Sequence, residues 1–182
     1  MRMIPKSAFL CTGFIALLPA CSSPEPATTA RPEIVVTYSV LGSVVSDLVG
    51  DTASVTVLIP DGQDPHDFQP SARDIETINN ASIVVSNGFD FEEGLLEVLA
   101  TAESNGVPQF QVGNSITSRI VEGESADPHL WLSPTNFVQA LPSLTDAINS
   151  ATGLSIDPAT ELELLKQLDN EVSELMNTID SC

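Results

Sequence analysis

The stretch Ala53-Ser-Val-Thr-Val-Leu-Ile59 runs into Pro60-Asp-Gly-Gln-Asp-Pro-His-Asp-Phe-Gln-Pro70 and then Ser71-Ala-Arg-Asp74. Its first part reads as a strand, which Pro60 stops. Ser71 with Asp74 three positions later has the pattern of a capping box, opening a helix to about Asn80. Strand, loop and helix in this order are the elements of a βαβ unit, and the order recurs on either side. Upstream, Ile34-Val-Val-Thr-Tyr-Ser39 predicts a buried strand, and Leu41, Val44, Val45, Leu48 and Val49 follow at helical spacing up to Gly50. Downstream, Ser82–Ser86 predicts a third strand ending at Asn87-Gly88. Phe91, Leu95, Leu96, Leu99 and Ala102 mark another helix, and Val107–Val112 another strand. The implied fold class is α/β, a parallel sheet flanked by helices.

The loop from Pro60 to Pro70 holds His66, one of only two histidines in the chain. The other, His129, is also preceded by Asp-Pro, as Asp127-Pro128. His129 leads into Leu130-Trp131-Leu132, and Ser133-Pro134 then has the form of an N-cap followed by proline at the first helical position. Both histidines therefore fall at strand-to-helix junctions, on one edge of the sheet. In open α/β sheets that edge, beyond the carboxyl ends of the strands, is where ligands bind. Proline fixes its own φ and biases the preceding Asp toward extended geometry, so each loop loses less entropy when it presents a side chain. Imidazole binds transition metals through one ring nitrogen when the other is held in place. Asp64, Asp67 and Asp127 are the candidates to hold it. His66 and His129 are thus expected to be two ligands of one metal ion, although a lone loop histidine is more often only a surface residue. Their separation in sequence excludes a local zinc finger.

Composition narrows the function from the other side. The 182 residues are 42% hydrophobic and carry 25 acids against 6 bases, a formal net charge of -19. Such a chain repels nucleic acid, which requires a basic footprint. Arg2 and Lys6 precede an apolar run, Ala8–Leu18, that is too short to span a bilayer, and Leu18-Pro19-Ala20-Cys21 closes it. Residues 1–20 read as a lipoprotein signal peptide and Cys21 as its lipidation site. Residues 21–32, rich in Ser, Thr, Ala and Pro, read as a flexible tether. Besides Cys21 there are only Cys11, in the leader, and Cys182, so no disulfide framework and no cysteine zinc site is available.

Residues 33–155 are expected to form the α/β lobe. Pro142 falls inside the helix drawn from Pro134 to Asn149, and a kink or restart near Ser143 is expected. Asp157-Pro158 then starts a long amphipathic helix in the segment 156–182, with Leu162, Leu165, Leu168, Val172, Leu175, Met176 and Ile179 on its apolar seam. That seam is short for a coiled coil, and packing on its own domain is the simpler expectation.

Three motifs, taken together, resemble one family. Asp64-Pro-His-Asp-Phe-Gln-Pro-Ser-Ala-Arg-Asp74, Ala81-Ser-Ile-Val-Val-Ser-Asn-Gly88 and Asp127-Pro-His-Leu-Trp-Leu-Ser-Pro-Thr-Asn136 are similar to the zinc and manganese solute-binding lipoproteins of ABC transporters, solute-binding protein family 9. The resemblance covers the chain from about Glu33 onward. It implies two α/β lobes joined by a long helix, with the metal in the cleft between them and His66 and His129 as the ligands from the first lobe. It also implies a further lobe with the remaining ligands, so the 182 residues are expected to be the amino-terminal portion of a longer protein. No histidine occurs between Ser115 and Ala126, where many zinc-specific members carry a His-rich loop, which tilts weakly against a zinc specialist.

The expected function is that of an extracytoplasmic, lipid-anchored, monomeric receptor. It would capture a divalent cation, zinc or manganese, and deliver it to an ABC transporter permease. A metal-dependent hydrolase is the first alternative, with Asp67 as a possible base, but no His-Glu-x-x-His cluster is present. A surface adhesin is the second.

Overall fold

A computed structural model describes residues 30–117 and 126–180. Contacts divide the chain into Met1–Ala30 and Arg31–Cys182, and the α/β fold belongs to the second unit. The expected signal peptide, Cys11, Cys21, most of the tether, the segment 118–125 and Cys182 lie outside the described residues.

Val and Ile at consecutive positions favour extended backbone, and here they are buried on both faces. Strand β1 (Glu33–Tyr38) contributes Ile34, Val35 and Val36, and β3 (Ile83–Ser86) contributes Ile83, Val84 and Val85. Each of these side chains contributes roughly 1.5–3 kcal/mol by leaving water. Strands β2 (Ser54–Ile59) and β4 (Gln109–Gln111) complete a four-stranded, wholly parallel sheet in the order β2-β1-β3-β4. Val35 sits opposite Thr56 on one side and Val84 on the other, which sets the register. The chain winds outward from β1 to β2, then crosses to the other side of β1 for β3 and β4. The crevice between the carboxyl ends of β1 and β3 is therefore the topological switch point.

The helices are α1 (Ser39–Val49), α2 (Ala72–Asn79), α3 (Leu96–Ser104), α4 (Pro134–Thr152) and α5 (Ala159–Asp180). Leu41, Val45 and Leu48 bury the inner face of α1, which packs on β1 and β2. Phe137, Ala140, Leu141, Leu144 and Ile148 do the same for α4, which contacts β3. The capping box of α2 forms as expected: Asp74 N–H donates to Ser71 Oγ and Ser71 N–H to Asp74 Oδ2.

Three sequence expectations need correction. Leu130–Leu132 is not a strand but a single 3-10 turn; Leu132 is 73% exposed, so the run cannot be a buried strand. His129 therefore precedes a turn rather than a strand-to-helix junction of the sheet. Ser133 is the N-cap of α4 and Pro134 opens the helix, as expected; the Ser133 carbonyl accepts from Asn136 N–H, and its side chain makes no cap hydrogen bond. Helix α4 is continuous through Pro142, so the chain does not restart there; Leu141, Leu144 and Ile148 around it are buried. Finally, α5 packs on its own domain only through its first turns. Leu165 is buried and Asp169 accepts a hydrogen bond from Thr135 at the start of α4, but Leu168, Val172, Leu175, Met176 and Ile179 are exposed.

Candidate metal centre

Both Asp-Pro-His sequences fold the same way. Asp64 Oδ1 accepts from the backbone N–H of His66 at 3.0 Å, and Asp127 Oδ1 accepts from that of His129 at 3.0 Å. Each aspartate thus closes a turn across its proline and fixes where the following imidazole leaves the backbone. His129 has φ −79 and ψ 55, and Leu130 N–H donates to Pro128 O at 2.8 Å, so His129 is the centre of an inverse γ-turn.

The two loops, 63 positions apart in sequence, bring the imidazole rings to a centroid separation of 6.0 Å. Two imidazoles on one zinc ion, with Zn–N near 2.0–2.1 Å, place their ring centres about 5 Å apart at a tetrahedral angle. The observed separation exceeds this by about 1 Å. Both rings are reachable from solvent, at 36% and 46% side-chain exposure. Beneath them lies an aromatic floor: Phe91 is 5.1 Å from His66 and 6.3 Å from His129, and Trp131 is 5.3 Å from His129. Tyr38, at the end of β1, packs against both Phe91 and Trp131.

The ring nitrogens are differentiated. His129 Nδ1 lies 2.8 Å from Asp127 Oδ1. Hydrogen bonds from the His129 backbone N–H and then from its ring hold the Asp127 carboxyl below its ordinary range. An ionised carboxylate can only accept, so Nδ1 carries the proton and Nε2 keeps the free lone pair. His66 Nδ1 lies 3.6 Å from Glu93 Oε1, longer than a direct hydrogen bond but on the same side of the ring. Of the three aspartates considered from sequence, Asp127 takes the orienting role, Asp64 serves the backbone, and Asp67 makes no side-chain contact to either ring. Among the described residues, no group of three or more His, Cys, Asp or Glu side chains forms a complete metal cage.

The sequence reading missed the polar network underneath. Glu92 is 1% exposed, and its Oε1 accepts from Asn87 N–H at 2.7 Å and from Thr37 Oγ1 at 2.5 Å. Burial pushes its carboxyl above the ordinary glutamate range, against the lowering effect of those hydrogen bonds. Asn87 Oδ1 accepts from Tyr38 Oη at 3.0 Å. The fold-back that brings Glu92 to Asn87 requires three residues with positive φ: Gly88 (84°), Phe89 (56°) and Asp90 (56°). For the two non-glycines this is strained backbone, each costing of order 1–3 kcal/mol and persisting only where the surroundings over-determine it. A signal was available in sequence, since Glu92 is spaced three, four and seven positions from Leu95, Leu96 and Leu99, on the face expected to be buried.

Gly94 completes the assembly. A Cβ there would stand 2.0 Å from the Phe68 carbonyl oxygen, so only glycine lets the turn after Glu93 lie against the loop that carries His66.

The fold of this chain is shared with solved periplasmic metal-binding proteins. The fold matches the periplasmic zinc-binding protein TroA from Treponema pallidum with a TM-score of 0.65 at 19% identity, over 80% of this chain and 53% of that one. It matches a manganese-bound periplasmic metal-binding protein from Candidatus Liberibacter asiaticus with a TM-score of 0.63 at 21% identity, over 83% and 56%. The chain belongs to the family described as zinc-uptake complex component A, periplasmic, which matches residues 34–181. It is 27% identical over 175 residues to the manganese-binding lipoprotein MntA of Halalkalibacterium halodurans, covering 91% of this chain and 58% of that protein. It is 30% identical over 133 residues to the iron ABC transporter substrate-binding lipoprotein MtsA of Streptococcus pyogenes, covering 67% and 43%. The chain thus spans about half the length of these relatives, 58% of one and 43% of the other.

Proposed function

We propose that the chain is the metal-capturing part of an extracytoplasmic receptor, with the Nε2 atoms of His66 and His129 as two ligands of a divalent cation. The observation that carries this reading is the pairing of the two rings at 6.0 Å, with Asp127 on His129 Nδ1 and Glu93 beside His66 Nδ1. Two imidazoles supply half of a four-coordinate shell. The other donors are water or protein groups beyond the described residues. Zinc and manganese are the cations considered: nitrogen donors favour zinc, and a remaining shell rich in oxygen would favour manganese.

The relatives' names support the wider reading of a lipid-anchored binding protein of an ABC transporter, tethered through Cys21 by residues 21–32 and passing its cation to a membrane permease. In this reading residues 33–155 form the capturing lobe and 156–182 the connecting helix. The protein acts as a receptor and not as an enzyme, and as a monomer.

Calorimetric titration of zinc and of manganese into the full-length protein tests this. Submicromolar binding is expected, lost in His66→Ala and in His129→Ala. Binding that survives both substitutions, or turnover of ester or peptide substrates by the metal-loaded protein, overturns the receptor reading.

A further inference from the structure

We propose that Asn87 is a positioning residue for His129, tying the Asp127-Pro-His129 loop to the carboxyl end of β3 through its side-chain amide. The inference rests on the reading of His129 as a metal ligand. Asn87 is fully buried, yet its Nδ2 donates to Pro128 O at 2.8 Å across 41 positions of sequence, and to Gly88 O at 2.9 Å. The Pro128 carbonyl belongs to the peptide bond whose nitrogen is that of His129. The same oxygen closes the γ-turn on Leu130 N–H. Asn87 therefore grips the backbone unit that sets the direction of the imidazole.

The amide orientation follows from its surroundings. Rotating it by half a turn would point Oδ1 at two carbonyl oxygens, Gly88 O and Pro128 O, so only the orientation with Nδ2 toward them is tenable. The third contact, Tyr38 Oη at 3.0 Å, then has to donate to Oδ1. Burial holds the Tyr38 hydroxyl well above the usual phenol range, so it remains a donor at any physiological pH. The Asn87 backbone is fixed in turn, its N–H by Glu92 and its carbonyl by Gly113 N–H at 2.8 Å. Tyr38 ends β1 and Asn87 follows β3, so the amide is clamped at the switch point of the sheet. Asp127, by contrast, lies in an exposed loop and can align the His129 ring only relative to that loop. Asn87 relates the loop to the fold.

The test uses the full chain in two measurements. With only two histidines present, long-range proton–nitrogen NMR resolves both imidazoles without metal. In Asn87→Ala the Nδ1 signal of His129 is expected to move or broaden while that of His66 stays. Zinc affinity is expected to fall roughly 10- to 100-fold, the usual effect of removing a group that orients a ligand. Tyr38→Phe removes only the hydroxyl that orients the amide and is expected to weaken zinc about fivefold, equivalent to one hydrogen bond; it carries the test should Asn87→Ala fail to fold. An unchanged His129 signal with zinc affinity within twofold of wild type, while His129→Ala abolishes binding, overturns the positioning role and leaves the receptor reading standing. If wild type binds no zinc or manganese, the receptor reading falls, and with it the metal role of Asn87.

Discussion

Replacing Glu92 by alanine is expected to remove a large part of the stability of this fold, although Glu92 touches neither imidazole. Its Oε1 is the acceptor for Asn87 N–H and Thr37 Oγ1, and both of those residues are fully buried. Truncation leaves two donors without partners, at about 1–3 kcal/mol each, and a void worth about 1 kcal/mol; relief of the buried carboxylate's desolvation offsets part of this. The net loss is about 2–5 kcal/mol, a large share of the roughly 5–15 kcal/mol typical of a whole domain. Glu92→Gln keeps the acceptor and the volume, so it should recover most of the loss at neutral pH. Urea denaturation of the present chain, followed by far-ultraviolet circular dichroism and extrapolated linearly, measures both variants. A Glu92→Ala protein within about 1 kcal/mol of wild type would refute the reasoning, because ordinary surface substitutions fall in that range.

The same carboxyl sets a pH dependence. Burial raises the folded pKa of Glu92 above 4.5, and burial together with the Asp47 charge raises that of Glu161. Above the unfolded value the native state therefore holds protons that the unfolded chain has lost, so the contribution of both groups is greatest below that value and declines as pH rises through the folded one. Denaturation midpoints across this window should show the decline, and Glu92→Gln should flatten it. Gly94→Ala should displace the Phe68 carbonyl, costing about 1–3 kcal/mol by overpacking, and should also weaken zinc binding by moving His66. Calorimetric affinity equal to wild type would show that the two loops are not braced against each other.

The sheet was legible because its strands are runs of β-branched residues punctuated by Pro60 and by Asn87-Gly88, and α2 because Ser71 and Asp74 form a local motif. The His66–His129 pair was legible because the two histidines share one tripeptide context. What the residues could not display is geometry made by distant partners. The segment at Leu130–Leu132 has the composition of a short strand, but the prolines at 128 and 134 bracket it too tightly, and it closes as a turn. Phe91 was read as the start of a helix, whereas left-handed backbone at Phe89 and Asp90 delays α3 until Leu96. The Asn87 amide and the Glu92 carboxylate owe their roles to contacts reaching back to β1 and forward to Pro128, which no local pattern encodes. The outer half of the α5 seam remains exposed for a related reason: amphipathic spacing says that a face can be buried, not what buries it.

The paired Asp-Pro-His turns bear on time as well as on strength of binding. Each proline and each aspartate oxygen fixes the backbone at its histidine, so on the proposed reading a cation meets two turns that are already formed. The slow event on entry is then the loss of water from the cation, a property of the metal itself. On the proposed reading, the groups that complete the shell on the open side are then the ones left to control discharge, and the imidazole pair is the pre-set jaw of a clamp.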